Sequence, residues 1–190
     1  MARPPCVRCL LLAVLALAGV TGAWTAPSGA SCGMASPAPS PALAEALRPR
    51  GAPLLVHVWA IWCRPCVAEW PALAGFLRGL EGRRIRLVIL SLDDETRAAD
   101  SARVLGRAGA PGCPLRAGSE AAAPVLRGLD PEWDGELPST FVLDADGRLV
   151  LAQRGATDTA GLREVLDRMA PPKPAPAATR GGHKKEEGHE

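Results

Sequence analysis

Two cysteines, Cys63 and Cys66, stand three positions apart directly after the apolar segment 54–59. This segment is apolar except at His57, a composition typical of a strand that is buried on both faces. A helix is predicted to follow over residues 63–78, so both thiols lie at its start. The sequence therefore predicts a cysteine pair at the junction between a buried strand and a helix.

Strands and helices alternate after this junction. A second apolar segment, 85–90, predicts another buried strand. Asp93 or Asp94 is placed to cap the helix that follows, which we expect to run to about residue 108. Gly and Pro interrupt the next stretch, and a short helix is predicted at 121–127.

The C-terminal part of the pattern contains a hairpin. Two predicted strands, 140–143 and 148–154, flank an Asp-Gly pair at 146–147, a strong signal for antiparallel pairing. Apolar residues at helical spacing over 162–169 predict a last helix. The order βαβ and then ββα is that of the thioredoxin fold, an α/β architecture with a central mixed β-sheet and helices on both faces.

The N-terminal region has the features of a secretion signal. Residues 1–23 contain a basic start, an apolar run of about half the length of a spanning helix, and small residues for cleavage. An uncleaved anchor is the alternative. Residues 29–32 resemble a lipoprotein processing site, which would extend the signal to residue 31 and acylate Cys32. In each case we expect an extracytoplasmic protein, soluble or lipid-anchored, in a compartment where disulfides persist.

Composition divides the rest of the chain. Residues 24–42 are rich in Pro, Ala and Ser and predict a tether, whereas 171–190 predicts a disordered tail. The part between them, 43–170, is long enough to form one domain with its own core. The net charge is +2, from 22 basic and 20 acidic residues, with no basic patch. This balance argues against a nucleic-acid partner.

The cysteine pair has the spacing that dithiol exchange requires. Cys63 lies at the positive end of the helix dipole, where a thiol pKa of about 8.5 is commonly lowered by one or more units. Arg64 adds a positive charge nearby. Cys66 lies one turn further along the helix, on the same side, and is placed to resolve a mixed disulfide formed by Cys63. This chemistry needs no cofactor.

A zinc site or a purely structural disulfide would also place two cysteines at this spacing. A structural zinc ion normally needs two further ligands, usually as a second close pair. Cys32, Cys113, His57 and the histidines of the tail are not spaced in that way, so no metal is expected. The position between a buried strand and a helix, beside Trp62, favours redox chemistry over a structural disulfide.

Two motifs resemble the TlpA/ResA branch of the thioredoxin superfamily. The first is Val-Trp-Ala-Ile-Trp-Cys-Arg-Pro-Cys at 58–66, followed by Glu69 and Pro71, and the second is Leu-Pro-Ser-Thr-Phe-Val-Leu-Asp at 137–144. The resemblance covers about 43–169. It implies a thiol–disulfide oxidoreductase that is exported or membrane-tethered. Many members reduce protein disulfides, for example in apocytochrome c, and are recharged by membrane proteins that carry electrons outward.

The same resemblance implies roles for individual residues. Pro138 matches a cis-proline beside the active disulfide, and the backbone of Leu137 is then available to an extended substrate segment. Trp62 is a further candidate substrate-binding residue, and specificity is expected on the surface around Leu137, Pro138 and Trp133. Glu69 matches a buried acid that exchanges a proton with the Cys66 thiol. Without the resemblance, Glu69 would be interpreted as a surface glutamate.

Two residues are not assigned by this comparison. His57 occupies a strand position that often holds an amide or an acid in relatives. It either tunes the cysteine pair, relays a proton, or is a hydrogen-bonded core imidazole. Cys113 either pairs with Cys32, is a small buried apolar residue, or is an odd thiol.

The direction of electron flow is the least determined expectation. Stabilising a thiolate favours the reduced form and hence a disulfide oxidase or isomerase, whereas the family resemblance favours a reductase. A thiol peroxidase would need a cysteine in a Pro- and Thr-containing loop, which the sequence lacks. A non-catalytic copper or substrate carrier would need a histidine near the pair, and His57 is the candidate in the folded part.

Overall fold

The structure is a computed structural model and describes residues 40–112 and 114–170. The predicted signal, most of the predicted tether, Cys32, Cys113 and the predicted tail lie outside these residues. The helices and strands in chain order are α1 Ser40–Ala46, β1 Leu54–Trp59, α2 Arg64–Arg78, β2 Arg86–Ser91, a 3-10 turn Glu95–Arg97, α3 Ala98–Ala108, β3 Leu115–Arg116, α4 Ser119–Leu129, β4 Ser139–Leu143, β5 Leu149–Arg154 and α5 Thr159–Met169.

The strands form one mixed sheet in the order β3-β2-β1-β4-β5. β1 pairs in parallel with β2, and β2 in parallel with β3, while β4 is antiparallel to both β1 and β5. Parallel crossovers are right-handed, so α2 and α3 lie on one face, and these two helices contact each other. α1 contacts α4. The predicted thioredoxin fold is confirmed.

The centre of the sheet is the most buried part of the domain. All residues of β1 and β4 are buried, as the apolar composition of 54–59 predicts. The helices add fully buried leucines, each stabilising the fold by roughly 2 kcal/mol. These leucines are Leu43 of α1, Leu73 and Leu77 of α2, Leu126 of α4, and Leu162 and Leu166 of α5. Within residues 40–112 and 114–170, no helix is both long and apolar enough to cross a membrane.

The β4–β5 hairpin has the predicted form. The backbone N–H of Asp144 donates to the Arg148 carbonyl at 2.9 Å, and the Asp144 carboxylate accepts the N–H groups of Asp146 and Arg148. Gly147 has φ +92°, which a residue with a side chain rarely adopts. The Asp-Gly signal was therefore a correct indicator of antiparallel pairing.

Three features differ from the expectations. β3 was not predicted because it has two residues, which pair with Leu90 and Ser91 within a Gly- and Pro-rich stretch. α4 is longer than the predicted 121–127. α1 begins at Ser40, so residues 40–42 of the predicted tether are helical. Pro41 is tolerated there because the first turn of a helix needs no N–H donor.

The predicted capping by Asp93 or Asp94 is wrong. Asp94 precedes the 3-10 turn without a capping hydrogen bond from its side chain, and Arg97 occupies the N-cap of α3. Asp94 instead accepts the Thr96 hydroxyl at 2.6 Å. The Asp93 carboxylate is buried and accepts hydrogen bonds from other parts of the fold, so it is not available to a helix end.

Candidate active site

Cys63 and Cys66 form a disulfide at the start of α2, with their Cα atoms 5.3 Å apart. Cys63 is the N-cap residue, and its sulfur accepts the backbone N–H of Cys66 at 3.2 Å. Cys63 is 6% exposed and Cys66 is fully buried. Cys63 is thus the more accessible sulfur, as predicted. The N–H group that points at it favours the thiolate form after reduction.

The loop that carries Cys63 is fixed by Asp93. The backbone N–H of Ile61 donates to both carboxylate oxygens of Asp93, at 3.1 and 3.0 Å. The hydroxyl groups of Ser91 and Ser101 donate to the same carboxylate at 2.7 and 2.5 Å. Asp93 therefore connects the end of β2, helix α3 and the residues that precede the cysteine pair.

The three tryptophans near the pair have different environments. Trp59 and Trp70 are buried and pack edge to face, with ring centroids 5.1 Å apart. Trp62 is 53% exposed and lines a groove of about 340 Å³ together with Leu92 and Arg97. Two larger cavities, of about 540 and 750 Å³, lie around Gly51 at the opposite end of β1. The groove beside Trp62 therefore lies at the end of β1 that leads into the cysteine pair.

The Leu137–Pro138 peptide bond is cis, as the family resemblance implies. Val58 pairs with Ser139, which places Pro138 at the same edge of the sheet as the end of β1 and the cysteine loop. The Pro138 carbonyl accepts the N–H of Gly155 at 2.8 Å. Leu137 is half-buried, and its peptide groups have no backbone partner among the described residues.

Trp133 supports this loop from inside the domain, and its predicted place on a substrate-facing surface is wrong. The side chain is 3% exposed. Its Nε1–H lies 3.2 Å from both the Glu136 carbonyl and the Ser139 hydroxyl, and the hydroxyl donates to the same carbonyl at 2.7 Å. Burying an indole N–H is costly unless it is paired, so these partners explain its position.

Glu69 is largely buried, with 16% of its side chain exposed, so it is not a surface glutamate. The Thr157 backbone N–H donates to Oε2 at 2.9 Å, and the Thr157 hydroxyl lies 3.3 Å from Oε1. Burial raises the pKa of Glu69, although both Thr157 contacts act in the opposite direction. Its spacing of three residues from Cys66 in α2 places the two side chains on one helix face.

His57 lies in the middle of β1 and is fully buried. Its Nδ1 is 3.0 Å from the Thr140 hydroxyl, and its Nε2 is 3.4 Å from Oε1 of Glu69, without hydrogen-bond geometry. Burial lowers the pKa of His57 to about 3, so the imidazole is neutral at physiological pH. The interpretation of His57 as a hydrogen-bonded core imidazole therefore explains the position of Nδ1. It does not explain why Nε2 faces the Glu69 carboxyl without a hydrogen bond.

Sequence reasoning did not identify Asp93, Thr140 and Thr157 as parts of the site. Asp93 had a signal, because it lies two residues after a buried strand, at the edge of the sheet where the cysteine loop begins. Thr140 and Thr157 had none, since threonine in a strand or a loop is ordinary. Within the described ranges, no group of three or more His, Cys, Asp or Glu side chains could hold a metal ion.

Comparison with known proteins identifies the family. A model of the AhpC/TSA family matches residues 42–152, more than half of the 190-residue chain. The thiol:disulfide interchange protein DsbE of Xylella fastidiosa strain Temecula1 is 29% identical over 106 residues, which are 56% of this chain and 49% of that protein. The chain thus spans about half the length of the curated relatives it matches.

Solved structures share the fold. A putative DsbE from Chlorobium tepidum matches with TM-score 0.52 and 21% identity, over 64% of this chain and 82% of that one. A DsbF homologue from Corynebacterium diphtheriae matches with TM-score 0.51 and 20% identity, over 63% and 73% of the two chains. Because the family match covers more than half of the chain and includes both the cysteine pair and the cis-proline loop, the chain belongs to the AhpC/TSA family.

Proposed function

We propose that the protein is an exported oxidoreductase that reduces disulfides of extracytoplasmic proteins through Cys63 and Cys66. The observation that carries the proposal is the placement of the two sulfurs. The Cys63 sulfur accepts the backbone N–H of Cys66 and is slightly exposed, whereas Cys66 is fully buried. This is the arrangement of an attacking thiol and a resolving thiol.

The reaction begins with the reduced pair. The Cys63 thiolate attacks one sulfur of a substrate disulfide, forming a mixed disulfide and releasing the first substrate thiolate. Cys66, as a thiolate, then attacks the Cys63 sulfur, which releases the second substrate thiolate and forms the Cys63–Cys66 disulfide. Two electrons pass to the substrate, and both of its sulfurs take up protons.

The substrate segment is proposed to bind across the cis-proline loop. The peptide groups of Leu137 lie past the end of the β1–β4 pairing and have no backbone partner among the described residues, so an extended segment has hydrogen-bonding groups to pair with. Trp62 provides an exposed apolar surface next to Cys63. Pro138 follows Leu137 directly and lies at the same edge of the sheet as the end of β1.

Glu69 is proposed to exchange a proton with the Cys66 thiol. The thiol must lose its proton before it resolves the mixed disulfide, and Cys66 is too buried for direct transfer to bulk water. Glu69 is on the same helix face, and burial raises its pKa, which makes the carboxylate a better proton acceptor.

The reducing direction, the location and the partners follow from the resemblance. We propose that residues 1–23 direct export or anchor the chain, with Cys32 as a candidate lipid attachment site. A membrane-embedded electron donor would reduce the pair again after each cycle. Thiols of apocytochrome c are the example of a substrate that the branch suggests.

A disulfide oxidase is the second candidate. The N–H of Cys66 directed at the Cys63 sulfur stabilises a thiolate, and thiolate stabilisation favours the reduced pair. A strongly stabilised reduced form makes the disulfide an oxidant. The hydrogen bond from the Cys66 N–H to the Cys63 sulfur is therefore compatible with a reductase if it stabilises the thiolate weakly, and with an oxidase if it stabilises the thiolate strongly.

The reduction potential of the purified domain tests the proposal. The pair is equilibrated with glutathione and dithiothreitol buffers, and the oxidised fraction is measured. A potential near or below roughly −270 mV, that of thioredoxin, would support the reductase. A potential near roughly −120 mV would replace it with the oxidase. The Cys66→Ser variant is the control, because it must abolish the two-electron couple.

A further inference from the structure

A triangle of hydrogen bonds holds the loop that precedes the cis-proline. The Trp133 Nε1–H donates to the Glu136 carbonyl and to the Ser139 hydroxyl, each at 3.2 Å. The Ser139 hydroxyl donates to the same carbonyl at 2.7 Å. The Glu136 carbonyl thus accepts from two side chains, and both Trp133 and Ser139 are buried.

The triangle also orients the N–H of Leu137, because a carbonyl and the following N–H belong to one planar peptide unit. The peptide bond between Glu136 and Leu137 is trans, whereas the next bond, Leu137–Pro138, is cis. In a trans peptide the C=O and N–H bonds point in opposite directions. Since the Glu136 carbonyl points to buried donors, the Leu137 N–H points away from them.

The Leu137 N–H is available as a donor at the edge of the sheet beside the cysteine pair. It has no backbone partner within residues 40–112 and 114–170, and Leu137 is half-buried. Val58 pairs with Ser139, so the loop ends where β1 leads into the cysteines. A segment that lies extended along this edge pairs through its carbonyl with such an N–H. The direction of the Leu137 N–H therefore decides whether the segment finds a donor.

The other hydrogen bonds of the loop hold different parts of it. Arg154 donates to Asp130 Oδ2 at 2.6 Å, and the backbone N–H of Trp133 donates to the Asp130 carbonyl at 3.0 Å, which fixes the start of the loop. The Glu136 N–H donates to Asp134 Oδ1 at 3.0 Å, which fixes the peptide unit before Glu136. Among the described residues, the triangle therefore supplies the hydrogen bonds to the peptide unit that follows Glu136.

We propose that Trp133 and Ser139 are positioning residues for substrate binding, because together they turn the Leu137 N–H towards the segment that carries the substrate disulfide. The inference rests on the proposed binding of this segment along Leu137, and it identifies the side chains that make Leu137 a donor. Both side chains are buried, so they act through the backbone of the loop and not by contact with the substrate.

Hydrogen exchange at the Leu137 amide tests the binding and the positioning separately. In the Cys66→Ala variant, a short peptide with one cysteine is joined to Cys63 through a mixed disulfide. Exchange of the Leu137 N–H, followed by NMR, is compared with and without the peptide. The peptide should slow this exchange by roughly tenfold, because the N–H gains a hydrogen bond. Unchanged exchange would overturn the proposed binding at Leu137 and this inference with it.

Adding Trp133→Phe and Ser139→Ala to the same protein tests the positioning. The two changes remove both donors to the Glu136 carbonyl, so its peptide unit is free to turn towards solvent. The peptide should then no longer slow exchange at Leu137. Equal slowing with and without the two changes would overturn the positioning role and leave the proposed binding intact. If this variant does not fold, Ser139→Ala alone keeps the buried indole and should lose part of the slowing.

Reaction rates distinguish positioning from a general loss of stability. With both cysteines present and reduced, the Trp133→Phe, Ser139→Ala protein should reduce a disulfide-bonded peptide roughly tenfold more slowly than wild type, and each single variant roughly twofold more slowly. Hydroxyethyl disulfide has no peptide groups, so its reduction rate should stay at the wild-type value, as should the reduction potential.

Leu166→Val is the matched control, because it loosens the core in α5 without touching the loop. It should leave the rates with both disulfides unchanged. Equal slowing of the peptide and of hydroxyethyl disulfide in the Trp133→Phe, Ser139→Ala protein would indicate a structural defect and overturn the inference.

Discussion

The Asp93 carboxylate holds the backbone N–H of Ile61 between its two oxygens, at 3.1 and 3.0 Å. Ile61 lies two residues before Cys63, so this contact sets where the reactive loop leaves the sheet. The carboxylate has no role in helix capping, although its position after β2 would permit one. It is instead an internal anchor for the loop.

We expect Asp93→Asn to destabilise the fold by about 2 kcal/mol, because the amide NH2 would face the Ile61 N–H or a serine hydroxyl. Ser101→Ala removes one donor to the same carboxylate and should cost about 1 kcal/mol. Urea unfolding of the oxidised protein measures both. If Asp93→Asn is as stable as wild type, the anchor contributes nothing.

His57 gives the fold a dependence on acid pH. Its folded pKa of about 3 lies below the ordinary value of 6.5, so the unfolded chain binds the proton first as the pH falls. The stability from a neutral His57 is complete above pH 6.5 and decreases from there towards pH 3, by roughly 1 kcal/mol per pH unit.

The His57→Asn variant isolates this effect, because asparagine does not titrate. Chemical unfolding at several acid pH values should show wild type losing stability relative to the variant as the pH falls. Glu69 contributes with the opposite sign, since its raised pKa costs stability as the pH rises. A pH-independent difference between wild type and His57→Asn would mean that the pKa of His57 is the same in the folded and the unfolded chain.

Gly155 is expected to be sensitive to substitution. It has φ +85°, and a Cβ atom there would lie 3.3 Å from Oε1 of Glu136, while its N–H holds the Pro138 carbonyl. Gly155→Ala should destabilise the protein by about 1–2 kcal/mol and slow the reaction with protein disulfides.

Gly106→Ala is the matched control for that variant. Gly106 is in helix α3, and a Cβ atom there meets no other atom within 4 Å. The same substitution should therefore stabilise the protein by about 0.5–1 kcal/mol. Thermal unfolding distinguishes the two signs, and a stabilised Gly155→Ala would show that this glycine is not required.

The two cysteines should differ in trapping experiments. Cys66→Ala leaves Cys63 able to form a mixed disulfide that nothing resolves, so covalent complexes with substrate proteins should accumulate on a non-reducing gel. Cys63→Ala leaves a buried thiol and should give few such complexes. More complexes with Cys63→Ala than with Cys66→Ala would reverse the proposed order of attack.

Sequence reasoning succeeded where a local signal was strong. The strand before the cysteines, the position of Cys63 at a helix start and the Asp-Gly hairpin were all predicted correctly. Each depends on composition or spacing within a few residues. The cis bond before Pro138 required the family resemblance, because a proline alone does not determine its isomer.

Several parts of the site depend on contacts between distant segments. Trp133 was expected on a surface and is buried, since its partners Glu136 and Ser139 become available only when the loop folds back. The Asp93 carboxylate could have accepted N–H groups from the start of α3 or from the cysteine loop. In the structure it accepts the Ile61 N–H of the loop. Thr140 and Thr157 belong to the site because their hydroxyl groups contact each other, His57 and Glu69. Spacing along the chain does not reveal these contacts, because they join distant segments.

The hydrogen bonds that link His57, Thr140, Thr157 and Glu69 also have a consequence for folding. These residues are far apart in sequence, with 83 positions from His57 to Thr140 and 88 from Glu69 to Thr157. Loops of this length close late and only when most of the sheet has assembled. In an incompletely folded chain Glu69 is an ordinary ionised carboxylate and Cys66 is an ordinary thiol. The raised pKa of Glu69 is thus acquired in the final stage of folding, which makes it a reporter of the completed native state.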